Sequence, residues 1–155
     1  MIKLDSMRIL IVDDMENMAK SIRGMLKVLG YGNKFFFGNN GREGWNILQN
    51  HEVDLAIIDW NMPVMTGIEL LEAIREDKNH RDIPVIMVTA EANKEIVAEA
   101  AESDIDAYLL KPLTVKSLGD KIHSVISQYN NPSQNIQHLK KGRQLVEEGK
   151  YDEAI

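Results

Sequence analysis

Residues 55–67, LAIIDWNMPVMTG, run four apolar side chains straight into a lone carboxylate at Asp59 and then into a turn carrying Pro63 and Gly67. A short apolar run without alternation suits a strand covered on both faces, as strands of parallel sheets are. Four more runs of strand length accompany it: ILIV at 9–12, KFFF at 34–37, VIMV at 85–88 and AYLL at 107–110. All but KFFF are apolar throughout.

The stretches between these runs have helical spacing. Met15, Met18, Ala19, Ile22, Met25, Leu26 and Leu29 form one apolar stripe in which the methionines read as core filling. Asn40 with Glu43, and Thr66 with Glu69, have capping-box spacing and predict helices beginning near residues 41 and 67. Ile96, Val97, Ala100 and Ala101 suggest a fourth helix near 93–102, and Thr114 can cap a last one burying Val115, Leu118, Ile122, Val125 and Ile126. Strand and helix alternate five times. With right-handed crossovers this predicts an α/β fold, a doubly wound five-stranded parallel sheet with helices on both faces.

The whole chain sets the bounds. Its 155 residues allow one domain with a proper core and a piece of something more. Acidic residues outnumber basic ones, 24 to 18, for a formal charge of −6, and no stretch concentrates Lys and Arg. That argues against a direct nucleic-acid surface. Cysteine is absent, which fits a reducing compartment. The first apolar run is too short for a signal peptide or a membrane span. A soluble cytoplasmic protein, away from the membrane, is expected. Composition shifts at YNNPSQ, 129–134, giving a body over 1–129, a linker over 130–134 and a separate piece over 135–155.

The strand runs end in chemistry: ILIV in Asp13 and Asp14, LAII in Asp59, VIMV in Thr89 and AYLL in Lys111. In a doubly wound sheet these residues emerge together at the carboxyl edge, where such folds bind ligands. Three crowded carboxylates are not neutralised by one lysine, so the cluster asks for a divalent cation. All-oxygen ligation favours Mg²⁺ or Mn²⁺ over zinc. Asp59 could then attack a phosphoryl donor, with Thr89 and Lys111 holding the phosphoryl oxygens and an acyl phosphate as product.

In these motifs, DD at 13–14, DWNMP at 59–63, TA at 89–90 and KP at 111–112, the chain resembles the receiver domains of two-component response regulators, most closely the CheY-like chemotaxis receivers. The resemblance covers about Arg8 to Gln128. It implies the flavodoxin-like strand order 2-1-3-4-5 and Asp59 as phosphoacceptor for a sensor histidine kinase or phosphotransfer protein. Asp14, Asp59 and the backbone carbonyl of Asn61 would hold Mg²⁺, with Asp13 acting through water. Thr89 and Lys111 would grip the phosphoryl group, and Thr89 with the aromatic Tyr108 would switch the face of the fourth helix, fifth strand and last helix, about residues 93–128. The Lys111–Pro112 bond is cis in the family. Asn61 and Glu91 flank the path of an attacking water in a combination that implies a short-lived phosphoryl state. Trp60, beside the site, should report metal binding. The four histidines, His51, His80, His123 and His138, share no ligand spacing and read as surface or packing residues.

The tail, 135–155, resembles the start of a tetratricopeptide (TPR) repeat: Gly142 sits at its small position, Leu145 at the following aromatic or leucine position, and Ala154 at the alanine of its second helix. His138 and Lys141 depart from that pattern. This implies a fragment of a longer protein, a receiver joined to a protein-binding output array, because half a repeat cannot bury its own apolar stripe. Such a receiver is a signalling switch and not a turnover enzyme. Two other readings compete. A haloacid-dehalogenase-type phosphohydrolase would place a second carboxylate two residues after the nucleophile, where this chain has Asn61, and a phosphorylation-independent interaction module would not need the complete acid cluster and lysine.

Overall fold

The computed structural model describes residues 1–90 and 105–132. The helix expected near 93–102, Glu91 and the TPR-like tail lie outside them. The described elements are β1 (Arg8–Val12), α1 (Glu16–Leu29), β2 (Lys34–Gly38), α2 (Gly41–Asn50), β3 (Leu55–Asp59), α3 (Gly67–Glu76), β4 (Val85–Thr89), β5 (Ala107–Leu110) and α4 (Val115–Asn130). The five strands form one sheet in the order β2-β1-β3-β4-β5 with every pairing parallel, as expected.

Alternation along each strand divides the core into two layers. Ile9, Ile11, Leu55, Ile57, Ile86 and Val88 point to one face and pack with Ile22 and Leu26 of α1 and Leu118 and Ile122 of α4. Leu10, Val12, Ala56, Ile58, Val85 and Met87 point to the other and meet Leu48 of α2 and Leu70, Leu71 and Ile74 of α3. The central strands are buried on both sides, which is why their sequences do not alternate.

Local signals set the helix starts. The Thr66 hydroxyl accepts from Glu69 N–H at 3.2 Å while the Glu69 carboxylate accepts from Thr66 N–H at 2.9 Å, a complete capping box at α3. Thr114 and Ser117 exchange the equivalent bonds at α4. At α2, Asn40 accepts from Glu43 N–H, but Glu43 reaches back to Asn39 N–H, one residue further out.

Two expectations fail. Met15 is not core: it is 59% exposed and precedes α1, because its N–H is held at 2.9 Å by the Asp13 carboxylate and the helix begins at Glu16. AYLL is not covered on both faces either. As the edge strand β5 it buries Leu109 but exposes Tyr108 and Leu110.

Buried charge fastens the far side of the sheet. Arg75, at the end of α3, donates to the carbonyls of Arg81 and Ile83 at 2.8 and 2.7 Å and to Asp106 Oδ2 at 2.9 Å. Asp106 Oδ2 also accepts from Val85 N–H, so one carboxylate aligns the starts of β4 and β5. At the surface, the more exposed Arg8 pairs with Asp54 and Glu52. The two ends of the described body meet through Asn130, whose side-chain amide accepts from Ile2 N–H and donates to the Ile2 carbonyl, both at 2.9 Å. No described helix is long and apolar enough to cross a membrane.

Candidate functional site

Asp13, Asp59 and Lys111 each stand at the last position of a strand or one residue beyond it, and strand alternation sends all three to the α1–α4 side of the sheet. Thr89, last in β4, has the opposite parity and lies on the α2–α3 side. The parallel sheet therefore gathers at one edge residues that are up to 98 positions apart in sequence. Gly67 is what lets α3 start there: a Cβ on it would collide with the Asp59 carbonyl oxygen, and its N–H is bonded to the Trp60 carbonyl at 3.1 Å.

Asp13, Asp59 and Thr89 are the buried polar residues of the described core. Lys111 Nζ lies 3.3 Å from Asp59 Oδ1 and 3.5 Å from Asp13 Oδ2, bridging two buried carboxylates. Asp13 is held from both sides, since its other oxygen accepts Met15 N–H. Asp14 is exposed, and one carboxylate oxygen from each of Asp13, Asp14 and Asp59 can be taken so that all three lie within 4.8 Å of one another. This donor set, three hard oxygens with one open to solvent, fits Mg²⁺ or Mn²⁺.

Burial pushes the Asp59 carboxyl up to about 6, with the nearby Asp13 charge adding to the rise and Lys111 opposing it. A divalent cation would relieve both causes of that rise. The group nevertheless remains mostly ionised at neutral pH, as an oxygen nucleophile must be.

The Lys111–Pro112 bond is cis, as the resemblance implied. Tyr108 is 36% exposed; it pairs with Met87 and so stands on the same sheet face as Thr89, on the neighbouring strand. Asn61 is exposed in the loop after β3. Trp60, directly after Asp59, is 7% exposed and packed in the α2–α3 layer. His51 and His123 are exposed, and His80 packs between Trp45 and the Leu48 carbonyl, 2.8 Å from its Nε2; none joins the acidic edge.

Sequence reasoning missed two features of the site region. The hold of Asp13 on Met15 N–H had no signal beyond an aspartate two residues upstream. Val64, in the loop after Asp59, has φ 70°, a left-handed conformation that nothing in a β-branched residue suggests.

The chain is similar to known proteins over this same body. It is 40% identical over 124 residues to the chemotaxis protein CheY of Pseudomonas aeruginosa, a match covering 80% of this chain and 99% of that protein. A CheY-like response regulator receiver domain protein from Methanospirillum hungatei superposes with a TM-score of 0.73 at 31% identity, over 82% of this chain and 98% of its own. The signal receiver domain of a signal transduction histidine kinase from Syntrophus aciditrophicus does so with 0.72 at 30% identity, over 79% and 91%. Receiver domains hold Mg²⁺ in an acidic pocket and are signalling modules, not classical turnover enzymes. The response regulator receiver model matches residues 9–123, the span that carries the sheet, the acidic edge and the lysine, and this chain belongs to that family.

Proposed function

We propose that this chain is a phosphorylation-activated switch in which Asp59 accepts a phosphoryl group from the phosphohistidine of a sensor histidine kinase or a phosphotransfer protein. The observation that supports it best is the buried Asp59 carboxylate facing Lys111 Nζ at 3.3 Å within the acidic cluster. An Asp59 oxygen attacks phosphorus as the P–N bond of the donor breaks, and the released imidazole keeps the bonding pair. Asp14, Asp59 and the Asn61 carbonyl would hold Mg²⁺ (or Mn²⁺), with Asp13 through water, and the ion supplies positive charge to the phosphoryl oxygens. Lys111 and the Thr89 hydroxyl bind the remaining oxygens.

The added charge, roughly 1.5 to 2 units, draws Thr89 toward the phosphoryl group. Tyr108, on the same sheet face, answers by reorienting and remodels the surface of about residues 93–128. Moving such an equilibrium from 1:99 to 99:1 requires on the order of 5.5 kcal/mol of differential stabilisation. Asn61 and Glu91 set a short phosphoryl lifetime by flanking the water path. The receiver body ends near residue 129, and after a linker over 130–134 a TPR-type output region beginning near 135 passes the signal to protein partners in the cytoplasm.

Trp60 fluorescence tests this reading. In a Trp45→Phe background, Mg²⁺ and then acetyl phosphate should change the emission in two steps, and Asp59→Asn should abolish the second. An unaltered second step in Asp59→Asn would remove Asp59 as the acceptor.

A further inference from the structure

We infer that the groove between α1 and the edge strand β2 is a docking surface for an acidic segment of a protein partner that lays one apolar side chain over Phe37. The groove, a cavity of about 380 Å³, is lined by Glu16, Ala19, Lys20 and Arg23 on the helix side and Phe37, Gly38 and Asn39 on the strand side. Phe37 is 43% exposed, a large aromatic face at the end of a strand that has a neighbour on one side only. Its ring has the parity of Phe35, which packs toward α1.

The charge beside this floor is opposite in sign to the chain's overall balance. Glu16, Lys20, Arg23 and Lys27 recur at i, i+4, i+7 and i+11 and make one exposed stripe along α1. It has three cations against one acid on a chain whose net charge is −6. The single acid is engaged with Lys20 at 3.4 Å in a pair exposed enough to exchange partners readily. Arg23 stacks over Phe35, 5.7 Å from the ring centroid, and Arg23 and Lys27 have no ion pair among the described residues. An aromatic floor beside a cationic stripe selects a ligand with an apolar anchor and flanking carboxylates. None of its lining residues falls within 93–128, and it does not depend on phosphoryl chemistry. It does share a backbone bond with the acidic edge, because the Gly38 carbonyl accepts Asp13 N–H at 3.0 Å.

The test is an amide NMR titration of the whole 155-residue chain with a 12-residue peptide of Glu and Asp interrupted by Leu at helical spacing. Shifts should concentrate at Ala19, Arg23, Phe37 and Asn39, affinity should fall with salt, and the Lys20→Glu/Arg23→Glu double variant should lose at least tenfold in affinity. Phe37→Ser should weaken binding several-fold while leaving the rest of the spectrum in place. Absence of binding at millimolar peptide would overturn the inference, as would shifts confined to Tyr108 and α4 or undiminished binding by the double variant. Equal binding of a single-stranded 12-mer oligonucleotide would also overturn it, by showing a surface that reads charge alone.

Discussion

Gly67 lies so close to Asp59 that a single added methyl group would strike the Asp59 carbonyl oxygen, with the Met87 methyl 2.8 Å away on another side. Neither neighbour can retreat easily, because Asp59 is fixed in β3 between two paired strands and Met87 is in the core. Gly67→Ala is therefore expected to destabilise by about 2–4 kcal/mol, the range of overpacked or strained core sites. It should also displace the carboxylate, weakening the Mg²⁺-dependent change in Trp60 emission. Urea unfolding and a Mg²⁺ titration of the same variant check both, and a wild-type midpoint would show that α3 can shift to make room.

The raised Asp59 carboxyl gives a pH dependence of definite sign. Its folded value, about 6, exceeds the ordinary 3.8, so the folded state holds the proton more tightly than the unfolded chain does. Stability from this group is complete below about pH 4 and is lost as pH rises through about 6. Asp59→Asn removes the titration. Without divalent cations, the variant should gain on the wild type between pH 4 and 6.5 and stay ahead above it. The gain should be on the order of 1–3 kcal/mol, reduced by loss of the Lys111 pair. Thermal melts of both proteins across that range decide it; a constant difference would mean that Asp59 titrates at its ordinary value.

Arg75 should matter more than its place at a helix end suggests. Only 10% of its side chain is exposed, and replacing it with Met removes a charged donor from the Asp106 carboxylate, which keeps Val85 N–H, and from the carbonyls of Arg81 and Ile83. A loss of about 2–4 kcal/mol is expected, as for one partner removed from a buried pair. Denaturant unfolding measures it, and Arg75→Lys should recover only part because an ammonium cannot span all three acceptors.

Val64 offers the opposite outcome. Its φ of 70° is unfavourable for a β-branched residue, and at 75% exposure it contributes little packing. Val64→Asn should stabilise the protein by about 1 kcal/mol, since asparagine tolerates this region. A lower urea midpoint would show that Val64 makes compensating contacts.

What could be read beforehand was mostly local or tied to strand ends. The cap at Thr66 involves a neighbour three residues on, so its spacing to Glu69 predicted α3 directly, while Thr114 was legible as the cap of α4 without its partner Ser117. The site was legible because a parallel sheet sends every strand's last residue to one edge, which collects Asp13, Asp59, Thr89 and Lys111 whatever the loop lengths. Long-range placement was not legible. AYLL has core composition, and only its position in the strand order leaves Tyr108 and Leu110 exposed. The Arg75–Asp106 pair joins residues 31 apart, and nothing near either names the other. Met15 fits the helical period but falls outside the helix because Asp13 captures its amide.

The clasp of Asn130 on Ile2 has a practical side. α4 starts just after Lys111 and runs its 16 residues back along the sheet, so both ends of the described body leave at the pole away from Asp59. At 1.5 Å per residue that separation is about 24 Å. Held at either of these two ends, the described body keeps its acidic edge facing away from the attachment, and Asp59 stays open to the donor proposed for it.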